Sequence, residues 1–354
     1  MMPPAAAPAL NPAWSLMRCV FAFEICLIHL CSISWYKPQE GWMAETVFMS
    51  AARTGTIGFM MLAGAILVGR DAGGLGDYLA HRLRRWLPAL AVAQVVYIAL
   101  DLWSGGATLA SLTMFDAVEP AWYHIWFFYA LGFVYLAVVP MRWYAGWAAT
   151  LPPAPRLAAI WAPVALLMGV LGWATLLRGG FWGDLRLVNL LAYAGYAWAG
   201  YALAATFPRG AAFGWWMVLA GVSAAAIMTA VATEAAGEPV SSYFHRCSGF
   251  VAVAAMGQFL LLLRVSAQDW REATLERLHG LARLTLGIFV VHPLLISLAG
   301  WPQPWALAES AEWVSMPVAA VVLFAASGLV TWLVLAGLAA LRRPAARAAN
   351  PRGG

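Results

Sequence analysis

Charge is what this sequence has least of: 10% of its 354 residues are Asp, Glu, Lys or Arg, where a soluble domain carries about 25%. The hydrophobic share is 63% and the mean hydropathy +0.75, which excludes a soluble globular chain and implies a polytopic membrane protein. Lysine is nearly missing. Lys37 stands alone, so the formal net charge of +5 is carried by arginine. No basic cluster is interleaved with stacking aromatics, and a nucleic-acid groove is not expected. Cysteine is scarce as well. Cys19, Cys26, Cys31 and Cys247 show no CxxC or other zinc-ligand spacing, so no metal site is expected from them. Three lie in the first apolar run and read as small apolar packers; a Cys31–Cys247 disulfide is the alternative if both reach an oxidising face. No basic residue precedes Arg18, so the start lacks the charged region of a cleavable signal peptide. Its Pro/Ala-rich residues 1–13 read as a disordered lead. No internal repeat is evident, which counts against an inverted-repeat transporter. No stretch between the apolar runs is long enough to bury a core of its own, so no soluble domain is expected.

What the chain does have is spans. Apolar segments fall at about 14–34, 54–69, 86–102, 124–141, 157–177, 187–206, 213–232, 248–264, 281–300 and 314–341. The expected fold is therefore all-α: a membrane bundle of about ten helices over residues 14–341, followed by a basic tail, 342–354. Fifteen arginines, among them Arg70, Arg82, Arg84, Arg85, Arg142 and Arg156, fall in the tail and the loops on one side. Lys37, Arg53, Arg178, Arg186 and Arg246 make five on the other. The positive-inside rule then predicts both termini in the cytoplasm. Twenty tryptophans suit interfacial belts, and membrane lipids are the expected surroundings.

The first span is Arg18-Cys-Val-Phe-Ala-Phe-Glu-Ile-Cys-Leu-Ile-His29 within its flanks. Eleven steps of about 100° return a helix to nearly the same azimuth, so Arg18 and His29 share a face about 16 Å apart. An ionisable side chain at mid-bilayer costs about 2.5–3.5 kcal/mol on insertion scales, which lipid-facing helices avoid. Two readings stand at this point: a polar path through a bundle, or a charged helix start followed by an interhelical hydrogen-bonder. Glu24 is about 240° round from Arg18 and does not pair with it through the shared face. It receives no role from the sequence.

Loop 70–85 ends in His81-Arg82-Leu-Arg84-Arg85-Trp86-Leu-Pro88. Arg82 and Arg85, three apart, are neighbours on one helical face and can clamp phosphate oxygens. The plainer reading is topological anchoring at the membrane surface. His124 opens an aromatic run, His124-Ile-Trp126-Phe127-Phe128, and His292 precedes Pro293 well inside the ninth span. A proline there frees a backbone carbonyl. His81 and His279 read as solvated, and His245 beside Arg246 as a hydrogen-bonded loop, with a polar-acceptor mouth as the alternative.

In this order, the segments resemble the membrane acyltransferase 3 family, integral-membrane O-acyltransferases of bacterial surface glycans. Arg18 through His29 is similar to its R-x10-H. Phe59-Met-Met-Leu-Ala63-Gly64-Ala65 sits where the family has an aromatic run ending in Ser-Gly-Phe. Arg82-x-x-Arg85-x-x-Pro88 resembles its R-x-x-R-x-x-P, His124-Ile-Trp126-Phe127-Phe128 its His-x-Trp-Phe-Leu, and Leu286 through Pro293 its closing His-Pro element. Ala63, Ala65 and Phe289 depart from the family's Ser, Phe and Tyr, removing two hydroxyls. The resemblance is to the stand-alone form without an SGNH-type hydrolase extension.

The resemblance implies an enzyme of the bacterial inner membrane. It would move an acyl group, acetyl first among them, from cytoplasmic acyl-CoA to a hydroxyl of an envelope glycan or lipid-linked sugar, without a metal. Arg82 and Arg85 would hold the donor phosphates. His29 would act as general base or carry the acyl group briefly, with Arg18 orienting the donor. His124, Trp126 and His292 would line the chamber. The rival is a transporter or flippase for an anionic or lipid-linked substrate, using the same arginine and histidine but no CoA clamp.

Overall fold

The computed structural model describes residues 11–35, 42–70, 74–105, 122, 124–176, 186–266, 268, 270–299 and 309–349. Over these the chain is predominantly helical, with no strand among the described residues. The helices are α1 (Pro12–Trp35), α2 (Trp42–Ala52), α3 (Thr54–Leu67), α4 (Leu75–Ser104), α5 (Trp126–Ala149), α6 (Pro153–Leu176), α7 (Arg186–Thr206), α8 (Gly214–Ala236), α9 (Gly249–Leu262), α10 (Glu272–Leu298) and α11 (Glu309–Ala349). A 3-10 turn, Ser242–Phe244, leads into α9. Among the described residues nine stretches are long and apolar enough to cross a membrane, α2 and α3 counting together as one of them. The tenth expected span coincides with α7. The bundle is a multi-pass membrane protein, as its composition predicts. Most of the expected lead, residues 1–10, and the end of the expected tail, 350–354, lie outside the described residues. Helix α11 runs without a break past residue 341.

Helix α1 is the axis of the molecule, packed against α10, α3, α2, α11 and α9. Met17, Phe21, Cys26, Leu30 and Cys31 are buried to 1% exposure or less, so almost no azimuth of α1 faces lipid. An all-round apolar helix at the centre can therefore carry polar groups toward protein neighbours. Helix α2 has no counterpart among the expected spans. Its Glu45, Thr46 and Ser50 interrupt the hydropathy signal, yet all three are buried. Thr46 Oγ1 takes a bond from the Trp35 indole at 2.9 Å, and the Ser50 hydroxyl donates to the Thr46 carbonyl at 2.7 Å. These bonds tie α2 to the end of α1 and bring Arg53, between α2 and α3, into the bundle.

Helices α3 and α7 pack backbone to backbone. A Cβ on Gly64 would sit 1.7 Å from the Ala197 carbonyl oxygen, and one on Gly200 1.9 Å from that of Met61. Gly64, within the Ala63-Gly64-Ala65 segment, is thus kept by close helix approach, the usual use of small residues where lipid supplies no hydrophobic drive. All four cysteines are buried free thiols. The Cys247 thiol donates to Asn189 Oδ1 at 3.0 Å, so the alternative of a disulfide to Cys31 does not hold.

Candidate active site

The continuous helix α1 carries Arg18 and His29 to two different places. Arg18 is half-buried near the start of the helix. It lines a cavity of about 250 Å³ with Arg82, Tyr135, Thr285, Leu131 and Phe289. Arg18 also borders a second cleft of about 600 Å³ that opens past Trp14, Arg70 and Tyr201, on the side of the bundle where α1 begins and α3 ends. Arg18 and Ile66 line both, so the arginine stands between cleft and cavity.

Arg82 is held by aromatic rings. Its guanidinium lies 5.8 Å from the Tyr78 ring centroid and 6.0 Å from that of Tyr135. The Tyr78 hydroxyl donates to the Tyr135 carbonyl at 3.0 Å, joining α4 to α5. The Arg82 Nε is buried with no hydrogen-bond partner. Among the described residues no carboxylate pairs with Arg18 or Arg82. Two guanidinium groups in one small cavity without a counter-ion are costly unless an anion enters from outside.

At its other end the cavity is closed by Phe127 and Phe289, whose rings lie 5.0 Å apart. Behind Phe289 stand three histidines from three helical segments. His29 and His292 have ring centroids 5.1 Å apart, and His124 lies 6.1 Å from His292. Phe289 touches both, at 5.6 Å to His124 and 6.0 Å to His292. His124 and His292 are buried to 1% and 0% exposure. Pro293 has no N–H for the Phe289 carbonyl, which loosens the turn. One turn back, the His292 Nδ1 sits 3.0 Å from the Ile288 carbonyl oxygen. A carbonyl only accepts, so Nδ1 carries the proton and Nε2 of a neutral ring is the basic nitrogen. That Nε2 is buried with no hydrogen-bond partner. An unprotonated imidazole nitrogen in a dry chamber can take a proton from a hydroxyl.

Glu24, left without a role by the sequence, is accounted for by its neighbours. The Gln258 amide donates to one carboxyl oxygen and the Thr54 hydroxyl to the other, at 3.1 Å. The group joins α1 to α9 and to the start of α3, where Gly55 leaves room for it.

The expected residues do not all meet. Arg82 lines the cavity with Arg18, whereas Arg85, one turn further along α4, is exposed and does not line it. His29, His124 and His292 form one cluster. Trp126 lies beyond it, stacked on Tyr193 at 5.5 Å and under the Arg246 guanidinium at 4.4 Å. His279 is not merely solvated: its Nδ1 bonds the Ser15 hydroxyl at 2.8 Å, pinning α10 to the start of α1. His245 is indeed in a hydrogen-bonded loop, accepting the Cys247 N–H at 3.2 Å. Sequence reasoning missed Tyr97, Tyr78 and Tyr135. Tyr97 packs edge-on against His124 at 4.6 Å and donates to the Val290 carbonyl at 2.5 Å, locking α4 onto α10 beside the histidines. Within a run such as Val-Val-Tyr-Ile-Ala nothing distinguishes it from an apolar packer.

Among curated proteins and among solved structures, none matches the chain. The sequence pattern of an acyltransferase domain, that of the acyltransferase 3 family, matches residues 11–336. That match takes in the arginine cavity, the histidine cluster and all but the end of α11, and the chain belongs to the acyltransferase 3 family of membrane acyltransferases.

Proposed function

We propose that the chain transfers an acyl group, acetyl in the simplest case, from acyl-CoA to a hydroxyl of a cell-envelope glycan or lipid-linked sugar. The observation that carries this reading is the cavity with two arginines lacking counter-ions at one end and Phe289, in front of three histidines, at the other. CoA has that profile: anionic phosphates at one end and a thin arm bearing the thioester at the other. Arg82 and Arg18 hold the phosphates, and the arm passes Leu131 and Thr285 toward Phe289. The arginine bias of the loops orients the mouth to the cytoplasm and both termini with it, in the bacterial inner membrane. Arg85 remains at that surface, where it attracts the donor from a distance without touching it.

In the reaction the acceptor oxygen attacks the thioester carbonyl carbon, and the imidazole of His29 takes the hydroxyl proton. The new C–O bond forms as the C–S bond breaks, and the proton passes to the departing CoA sulfur. An imidazole that takes up one proton and then gives it back serves both transfers. One observation gives His292 a share: its Nδ1 proton is fixed on the Ile288 carbonyl, so its Nε2 is always the acceptor. On this reading His29→Ala abolishes acylation while CoA still binds, and His292→Ala impairs it. Acylation that survives His29→Ala with unchanged rate sinks the assignment of the base to His29. A transporter lacks any reason for CoA binding, so a folded protein that CoA does not stabilise would favour that rival.

A further inference from the structure

A second cationic site lies on the far side of the histidines from the arginine cavity. Its centre is Arg246, in the turn between α8 and α9. The guanidinium lies 4.4 Å over the Trp126 ring, and Trp126 in turn stacks on Tyr193, 5.5 Å away and 25° from parallel. The loop is anchored, because the Tyr196 hydroxyl donates to the Arg246 carbonyl at 2.7 Å. The side chain is therefore held in place before any ligand arrives. Among the described residues no carboxylate pairs with it. Its Nε is buried without a hydrogen-bond partner. Tyr193 is 2% exposed, and its hydroxyl lies beside the Arg246 guanidinium with no acceptor for its own proton. The neighbouring His245 accepts the Cys247 N–H at Nδ1, which leaves the proton of a neutral ring on Nε2 as a further donor.

Donors from three residues thus gather here with no carboxylate or carbonyl of the described chain to answer them. A guanidinium with its Nε buried and a buried hydroxyl left in that state each carry a desolvation cost that an incoming anion removes. A phosphate, with three terminal oxygens to spread over a planar fork and further donors, fits such a set better than a carboxylate with two. The position is informative too. Trp126 follows His124 by two residues, so their Cα atoms are at most about 7 Å apart. An anion on Arg246 sits within a short reach of the imidazole cluster, and from the side opposite the donor cavity. We infer that Arg246, Tyr193 and Trp126 form a subsite for a phosphate monoester on the acceptor, which positions the acceptor's hydroxyl toward the histidines. The inference rests on the transferase reading of the same chamber.

The test uses the full chain in detergent, with thermal unfolding followed at constant ionic strength against glucose 1-phosphate, glucose, farnesyl phosphate and CoA. Glucose 1-phosphate or farnesyl phosphate raises the unfolding temperature and glucose does not. Arg246→Gln weakens that response about tenfold, the size of one lost charge-assisted contact. Tyr193→Phe, which removes one oxygen and leaves the fold and charge intact, weakens it about threefold. Arg82→Gln leaves it unchanged. A stronger response to farnesyl phosphate marks a lipid-linked acceptor, and one to glucose 1-phosphate a water-soluble one; both support the subsite. An unchanged response in Arg246→Gln and Tyr193→Phe, or a response abolished by Arg82→Gln instead, overturns it. So does a wild-type protein that responds to CoA but to neither phosphate. CoA binding retained in Arg246→Gln separates failure here from failure of the transferase reading, which would show as no CoA response at all.

Discussion

Glu24 and the Arg18–Arg82 pair are ionisable groups placed inside the same bundle, and they have opposite surroundings. Both oxygens of Glu24 receive a donor, from Gln258 and Thr54, and α3 makes room for it at Gly55. Arg18 and Arg82 share a largely apolar cavity in which the Tyr78 and Tyr135 rings flank the Arg82 guanidinium and no carboxylate among the described residues answers either arginine. A polar group whose partners come from its own chain is part of the scaffold. One that the described chain surrounds but does not neutralise is a candidate ligand site. The same test separates Arg82 from Arg85, three residues on, which is exposed.

The comparison can be broken in four places. His29→Ala carries the largest expected effect, a loss of about 10²–10⁴-fold in acylation rate from removal of the base, with CoA affinity nearly unchanged. Product formation by mass spectrometry and CoA titration on the same preparation check both halves. Arg18→Gln with Arg82→Gln comes next. Each removes a charge-assisted contact to the donor, and together they weaken CoA binding by about 100-fold while leaving the protein folded. Glu24→Ala should do the reverse. It strands the buried Gln258 amide, leaves the Thr54 hydroxyl with only the Ala51 carbonyl, lowers stability by about 1–3 kcal/mol in denaturant unfolding, and leaves CoA affinity of the folded fraction alone. Arg85→Gln has the smallest effect, about twofold or less on CoA affinity and greatest at low salt, because a surface charge acts only through a screened field. If Arg85→Gln and Arg82→Gln weaken binding equally, the distinction between the cavity-lining and the exposed arginine of α4 is wrong.

The helices and their order were legible because lipid demands long apolar segments, and hydropathy counts those. The Arg18–His29 register was legible because an α-helix repeats every 3.6 residues and nothing interrupts α1 between them. Helix α2 was not, since Glu45, Thr46 and Ser50 lower its hydropathy and only the fold reveals that Trp35 and neighbouring helices bury them. The pairing of Arg82 with Arg18 rather than Arg85 depends on how α4 is rotated against α1 and α5. Spacing within one helix holds no information about that rotation. Glu24 was opaque for the same reason: Gln258 is 234 residues away in sequence. The three histidines were each visible as oddities, but their convergence required α10 to pack along α1 and the start of α5 to close over both.

The most direct measurement is equilibrium binding of CoA to the purified full chain in detergent, compared between the native sequence and the Arg18→Gln, Arg82→Gln double variant. The account predicts saturable binding to the native protein and loss of about two orders of magnitude in the double variant, at matched helicity by circular dichroism. Equal affinity in the two proteins, or no binding to a native protein that is demonstrably folded, would contradict it.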